Sequence, residues 1–271
     1  MSEKLIEALA KVKEEVLRSN NKKELEYFEY HESRFKRMAI GILNNVPSGG
    51  KILDIGSHYL HSSMILKELG YQVYGVDVPV FWEIPFVQER MKKYNVKQII
   101  ESDLETFNSV DSFSDFFDGI VFTEIFEHIT FNPVQFWSQV HKIIRTGGAI
   151  YLTTPNSFAL PNVLRSIKNL ISFKSIGITV QDIFDHVTYG HHWKEFSKKE
   201  IKEYFGLISN DFKVECKYFS FQKRTKGSFR HNAWQYLLLL GTKLYVFSPS
   251  LEAIIKVNKE VGIHKLSPKY Y

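Results

Sequence analysis

The stretch Lys51-Ile52-Leu53-Asp54-Ile55-Gly56, continued by the helical run His61 to Gly70 and then by Tyr71-Gln72-Val73-Tyr74-Gly75-Val76-Asp77-Val78, decides the fold. A short apolar run ends in an acid and a glycine, a helix-forming run ends in a glycine, and a second apolar run ends in another acid. Such an order reads as a βαβ unit with parallel strands. Further along come a helix around Val87 to Tyr94, a strand from Val96 to Ile100, the apolar run Gly119-Ile120-Val121-Phe122 and a helix from about Pro133 to Arg145. After the Gly147-Gly148 stop, Ala149 to Asn156 reads as a fifth strand. The expected class is α/β, with helices on both faces of a largely parallel sheet.

On the N-terminal side, residues 2 to 19 and about 22 to 45 show helical periodicity, and Ser19-Asn20-Asn21 has the polar character of a turn or N-cap. Residues 1–47 are therefore expected to form an N-terminal helical cap. Beyond the fifth strand the rhythm breaks. Residues 155–196, rich in Asn, Ser, Pro, His and aromatic side chains, read as an insertion with one helix near Val163 to Leu170. Long irregular insertions in compact domains usually carry function. Ser197-Lys198-Lys199-Glu200 is a capping box opening a helix through Phe205. Phe212 to Phe221 alternates as a strand, and Leu251 to Val257 is the last one. Between them, a helix at 233–246 carries WQYLLLLGTKLYV, too short to span a membrane and expected to be buried. The main domain is placed at 48–260, with a C-terminal tail at 261–271.

With 271 residues, 44% of them hydrophobic, the chain can bury a large core. It has no run of roughly 18 to 20 apolar residues. Its start, MSEKLIEALAKVKEEVLRSN, is charged and helical rather than a secretory signal, so a cytoplasmic location is expected. The single cysteine, Cys216, excludes an intrachain disulfide and a multi-cysteine zinc site. Net charge is +5, densest at Lys217 to Arg230, which reads as a solvated basic face, since no RNA-binding aromatic module accompanies it. The oligomeric state is not readable from the sequence.

Gly56 permits a tight turn and close backbone approach to a nucleotide-like ligand, and Asp77 closes the second strand at the usual spacing for gripping two ribose hydroxyls. Ser102-Asp103 follows the third strand. On these residues the chain resembles a class I S-adenosylmethionine-dependent methyltransferase over about residues 48 to 260. The resemblance implies a Rossmann-like seven-stranded sheet of order 3-2-1-4-5-7-6 with the last strand antiparallel. It also implies S-adenosylmethionine as cofactor. The positions that match the cofactor site are Asp54, Gly56 and Ser57 in the first motif, Asp77 with Val78 at the ribose, Ser102, Asp103 and Leu104 at the adenine, and Thr123 after the fourth strand. One departure stands out: His58 and Leu60 occupy the second and third glycine positions of the first motif.

Thr123-Glu124-Ile125-Phe126-Glu127-His128 puts two carboxylates and an imidazole at the carboxyl end of a buried strand. Were the segment helical there, Glu124, Glu127 and His128 would share one face. Methyl transfer from a sulfonium is an in-line displacement, so the protein has to align the nucleophile and remove its proton, and His128 suits the second task. Tyr189-Gly190-His191-His192-Trp193 adds two more histidines. Glu-x-x-Glu-His followed by a later histidine resembles the metal-dependent small-RNA 2′-O-methyltransferases, which implies a divalent ion held by Glu124, Glu127, His128 and His192. The catalytic expectation rests on the same four residues. Tyr30 and Arg34 on the second helix, His186 and His191 are substrate-binding candidates. Taken together, these residues point to O-methylation of a small polar acceptor, a sugar, nucleotide sugar or glycan-linked group. The rival expectations are 2′-O-methylation of an RNA 3′-terminal ribose and a non-catalytic binding subunit.

Overall fold

A computed structural model gives the structure of the chain and describes residues 3–174, 176–178, 180–185, 190–220 and 228–264. Two helices, α1 (Glu3–Arg18) and α2 (Lys22–Asn45), precede β1 (Lys51–Ile55), α3 (His61–Glu68) and β2 (Gln72–Asp77). The chain continues through α4 (Pro79–Trp82), α5 (Pro85–Tyr94), β3 (Lys97–Ile100), β4 (Phe117–Thr123), a single 3-10 turn at Phe126–His128, α6 (Val134–Ile143) and β5 (Ile144–Pro155). Then come α7 (Leu160–Ile171), α8 (Val180–Asp185), α9 (Lys198–Ile208), β6 (Phe212–Phe219), α10 (Phe229–Lys243) and β7 (Ser250–Val257).

The seven strands form one sheet in the order β3-β2-β1-β4-β5-β7-β6. β7 runs antiparallel to both neighbours, and the other pairs are parallel. This is the expected order and class. Alternation along the strands supplies two cores. Leu53, Ile120, Phe122, Ile150 and Leu152 point to one face, where α6 and α9 pack. Ile52, Val73, Val121 and Tyr151 point to the other, against α1, α2 and α3. The N-terminal helices expected as a cap are thus a structural layer of the sheet. A Cβ on Gly41 of α2 would lie 2.5 Å from the Tyr151 ring of β5, so glycine allows that helix to lie close.

Local signals behave as read. The Asn21 side chain accepts from the Glu24 N–H at the start of α2, and Ser197 with Glu200 forms a complete capping box on α9. Two expectations need correction. The insertion contains two helices, α7 and α8, rather than one. The helix placed at 233–246 runs Phe229–Lys243 and is not buried, with Trp234, Tyr236 and Leu239 exposed. Its apolar residues fall on all sides, and it rests on α7 instead of the sheet, so one side alone is covered. Among the described residues no helix is long and apolar enough to cross a membrane.

The N-terminal helices are fastened by a buried polar cluster. Glu24 accepts from His61 Nε2 (2.8 Å), Arg90 and Ser19 Oγ (2.5 Å), while Arg90 also donates to the main-chain oxygens of Tyr59 and Glu15. Burial works against the Glu24 charge, but these hydrogen bonds overcome it and hold its pKa below the usual carboxylate range. Removing the carboxylate strands a buried guanidinium. Glu24→Ala is therefore expected to lower unfolding free energy by about 3 to 5 kcal/mol in urea denaturation, and a loss within about 1 kcal/mol would show that Arg90 finds another partner.

Candidate active site

The strand β1 ends where Gly56 turns with φ +72°, and a Cβ there would meet Ile125 Cδ1 at 2.3 Å. The turn after β1 and the segment after β4 therefore touch, and only glycine permits it. His58 and Leu60 have φ of +47° and +65°, so the two positions where the glycines are replaced keep the left-handed path that glycine favours. The strained turn is held from below. His58 N–H donates to Asp77 Oδ2 (2.6 Å) and Val78 N–H to Asp77 Oδ1 (2.8 Å), which aims the carboxylate at the carboxyl edge of β2. Each oxygen keeps a second lone pair for a ribose hydroxyl.

Other cofactor candidates are placed variously. Asp54 is buried beneath the turn, where its Oδ2 accepts from Ser62 and Ser63 Oγ, both at 2.6 Å, and burial raises its pKa to about 6. It shapes the turn and the start of α3. Ser57 is buried with its N–H on the Val76 carbonyl at 3.1 Å. Ser102 and Asp103 are exposed beyond β3, where Asp103 accepts from Glu105 N–H and Thr106 Oγ1, and Leu104 packs on the core. Thr123 is the last residue of β4. The sequence reading missed an aromatic wall around the turn: the His58 ring lies 3.7 Å from Tyr59, 4.4 Å from Phe81 and 5.2 Å from Tyr27, measured between centroids. Burial lowers the His58 pKa to about 4, so this wall is uncharged.

Beyond β4 the segment does not form an α-helix. Glu124 takes a left-handed φ of +55°, and one 3-10 turn follows, so Glu124 and Glu127 diverge. Glu124 accepts from Thr153 Oγ1 at 2.8 Å and lies 3.7 Å from Arg34 Nη1. Arg34 is buried and also donates to the Tyr27 hydroxyl (3.2 Å), while burial and the Glu124 charge raise the pKa of Tyr30. The Tyr27–Arg34 face of α2 thus borders the site. Glu127 is buried and accepts from Thr154 Oγ1 at 2.9 Å. Burial, reinforced by the Glu124 charge, pushes its pKa up to about 8.

His128 sits with Nδ1 2.9 Å from the His191 carbonyl oxygen. Since that oxygen can only accept, Nδ1 carries the proton and Nε2 keeps a free lone pair. Burial lowers the His128 pKa, so the ring is neutral at neutral pH. His192 meets it edge-on, 5.0 Å between centroids, and the Glu195 carboxylate 3.3 Å from its Nδ1 raises the His192 pKa. His191 is buried, stacked on Trp193, and serves His128 through its carbonyl. The loop is tied down by Trp193 N–H on the Glu127 carbonyl at 2.9 Å.

One ligand atom each from Glu127, His128 and His192 lies within 4.8 Å of the others. Three of the four expected metal ligands converge; Glu124 is drawn off by Thr153 and Arg34. Beside them a cavity of about 420 Å³ is lined by Asn162, Arg165, Asn169, His192, Trp193 and Glu195. His186, and 221–227 of the basic cluster, lie outside the described residues.

The chain is similar to known proteins in sequence and in fold. A methyltransferase domain model matches residues 30–216. The chain is 32% identical over 108 residues to the mitochondrial ubiquinone biosynthesis O-methyltransferase of Dictyostelium discoideum, covering 39% of this chain and 30% of that protein. It is 30% identical over 171 residues to the enzyme of the same name from Mus musculus, covering 62% and 42%. The chain thus spans less than half the length of these relatives. In fold it is similar to a chain of the complex between the Haloferax volcanii Trm112 methyltransferase activator and a methyltransferase. The TM-score is 0.52 and the identity 15%, over 84% of this chain and 92% of that one.

The electrostatics carry a test. A carboxyl with a raised folded-state pKa stabilises the fold below its unfolded pKa, and that contribution is lost as pH rises through the folded value. With Glu127 near 8, the urea midpoint of the metal-free protein should fall between about pH 5 and about pH 9, and Glu127→Gln should flatten that slope. Equal slopes in the two proteins would mean that Glu127 is ionised throughout.

Proposed function

This chain belongs to the methyltransferase domain family, and from that premise we propose that it transfers the methyl group of S-adenosylmethionine to a hydroxyl of a small polar acceptor. The observation that carries the reading is the free Nε2 of a neutral His128, at the carboxyl end of β4 and next to the turn after β1. The fit of the cofactor rests on Asp77, aimed at the edge of β2 with a lone pair left on each oxygen, beside a turn that Gly56, His58 and Leu60 keep left-handed. When bound, S-adenosylmethionine supplies an electrophilic methyl carbon on a sulfonium.

In this reading Asp77 takes the ribose hydroxyls, and the aromatic wall of His58, Tyr59 and Phe81 keeps water from the turn. His128 Nε2 would accept the proton of the acceptor hydroxyl as its oxygen bonds to the methyl carbon and the carbon–sulfur bond breaks, the sulfur leaving as the neutral thioether. Nδ1, donating to the His191 carbonyl, keeps the imidazole in the right tautomer throughout. Arg34 and Tyr30 close the site from α2, and Arg34 balances the Glu124 charge. In the alternative mode a divalent ion held by Glu127, His128 and His192, a mixed oxygen and nitrogen donor set, would take up the Nε2 lone pair and would replace the base by supplying acidity to the acceptor hydroxyl.

The acceptor belongs in the cavity beside His192, whose amide, charged and indole side chains suit a polyhydroxylated molecule such as a sugar or nucleotide sugar. A second reading, a hydroxyl on a quinone precursor, is favoured by the 30–32% identity to the ubiquinone biosynthesis enzymes. The left-handed path kept at His58 and Leu60, where two glycines are replaced, weakens the case for a non-catalytic subunit.

His128→Ala should lower methyl transfer by about 10²- to 10⁴-fold, measured with labelled S-adenosylmethionine, while binding of S-adenosylhomocysteine in calorimetry is unchanged. Full turnover by that variant would remove the base assignment, and absence of any cofactor heat would remove the donor. Loss of activity in EDTA, restored by a divalent ion, would establish the metal, and activity indifferent to EDTA would leave His128 acting alone.

A further inference from the structure

The proposed chemistry uses the inner side of the insertion and leaves its outer side unexplained. α7 exposes Leu164, Ile167, Leu170 and Ile171, and the chain beyond it exposes Phe173 and Ile176. α8 adds Ile183 and Phe184, and α10, which packs on α7, adds Phe229, Trp234, Tyr236 and Leu239. Several stand almost wholly in solvent: Phe173 is 99% exposed, Phe229 88% and Phe184 82%. Surface leucines scattered singly need no account, but so many large apolar residues on neighbouring helices mark an interaction surface.

Charge identifies the partner. No Asp or Glu occurs from Asn156 through Gln181, nor from Cys216 through Leu251, although the whole chain carries 30 acids. Asp182 and Asp185 of α8 are the first acids after the first of these stretches, and α7 and α10 themselves carry none. The basic residues Arg165, Lys168, Lys174 and Lys243 are exposed among the apolar ones. Aliphatic and aromatic side chains interleaved with cations, on helices too short to span, are the composition of a surface that lies in the headgroup region of an anionic bilayer. A protein partner of ordinary composition would be met by both signs of charge.

We propose that the outer face of α7, the segment after it and α10 docks on an anionic lipid surface, with Phe173, Ile171 and Phe229 entering the acyl boundary and Lys168, Lys174 and Lys243 meeting the headgroups. The docked face borders the cavity beside His192, since Ile176 belongs to both. The site would then open close to the membrane. This proposal stands apart from the assignment of donor and base, and its test uses neither activity nor cofactor.

Sedimentation of the full chain with vesicles of phosphatidylcholine alone, and of phosphatidylcholine with phosphatidylglycerol, tests it. Binding is expected on the anionic vesicles and is expected to weaken in high salt. The triple variant Leu170→Ser, Ile171→Ser, Phe173→Ser should cut the bound fraction by about tenfold, and Lys168→Glu with Lys174→Glu should abolish the preference for anionic lipid. These residues are exposed, and an unchanged thermal midpoint confirms that the variants fold. A wild-type chain left in the supernatant with anionic vesicles overturns the proposal, as does a triple variant that sediments like wild type. A concentration-dependent dimer lost in the triple variant, without vesicle binding, would instead assign the face to a second copy of the chain.

Discussion

A carboxylate taken out of water costs several kcal/mol unless its partners are in place, and at Glu24 the chain takes on that cost in order to join distant pieces. Its partners come from the end of α1 (Ser19), the start of α3 (His61) and α5 (Arg90). Arg90 in turn holds the Tyr59 carbonyl, inside the turn that follows β1. The N-terminal helices and the turn are consequently set by one buried cluster. Much of what surrounds that turn then follows from α2 being held there: Tyr27 against the His58 ring, and Arg34 against Glu124.

Backbone strain is concentrated at the same edge of the sheet. His58, Leu60 and Glu124 are all left-handed, a conformation that costs a residue with a side chain roughly 1 to 2 kcal/mol. Each is compensated locally. The His58 N–H has Asp77, the Leu60 N–H has the Ser57 carbonyl, and the Glu124 N–H has the Thr153 carbonyl. The strain at Glu124 also has a chemical effect, because it sends that carboxylate away from Glu127. The two acids take separate partners, a guanidinium for Glu124 and a threonine hydroxyl for Glu127, although the Glu124 charge is still felt at Glu127.

Much of this was legible in the sequence wherever a local rule ruled alone. Alternation of apolar runs and glycine stops placed the strands, and Asn21 and Ser197 announced helix starts because a capping side chain acts within its own turn. What escaped were features set by distant partners. Nothing near Glu24 tells of Arg90, 66 residues away. The i, i+3, i+4 pattern of Glu124, Glu127 and His128 implied a shared helical face, yet the contact between Gly56 and Ile125 and the pull of Thr153 broke the helix there. The run of leucines in α10 read as buried because hydrophobicity alone does not say how many neighbours are available to cover it, and among the described residues α7 is the helix it packs on.

The protonation states of the site follow from burial more than from charge pairing. Glu127, His128 and His58 are all driven toward their neutral forms by desolvation, whereas His192, half exposed and beside Glu195, is driven toward its charged form. A neutral His128 is a competent base, while a protonated Glu127 is a poor metal ligand. Metal binding would therefore have to displace a proton from Glu127, and occupancy of the three-residue cluster should strengthen with rising pH. Under the proposed function the two ways of activating an acceptor hydroxyl exclude one another, because an ion on the cluster would take the Nε2 lone pair that the base needs while Nδ1 stays on the His191 carbonyl.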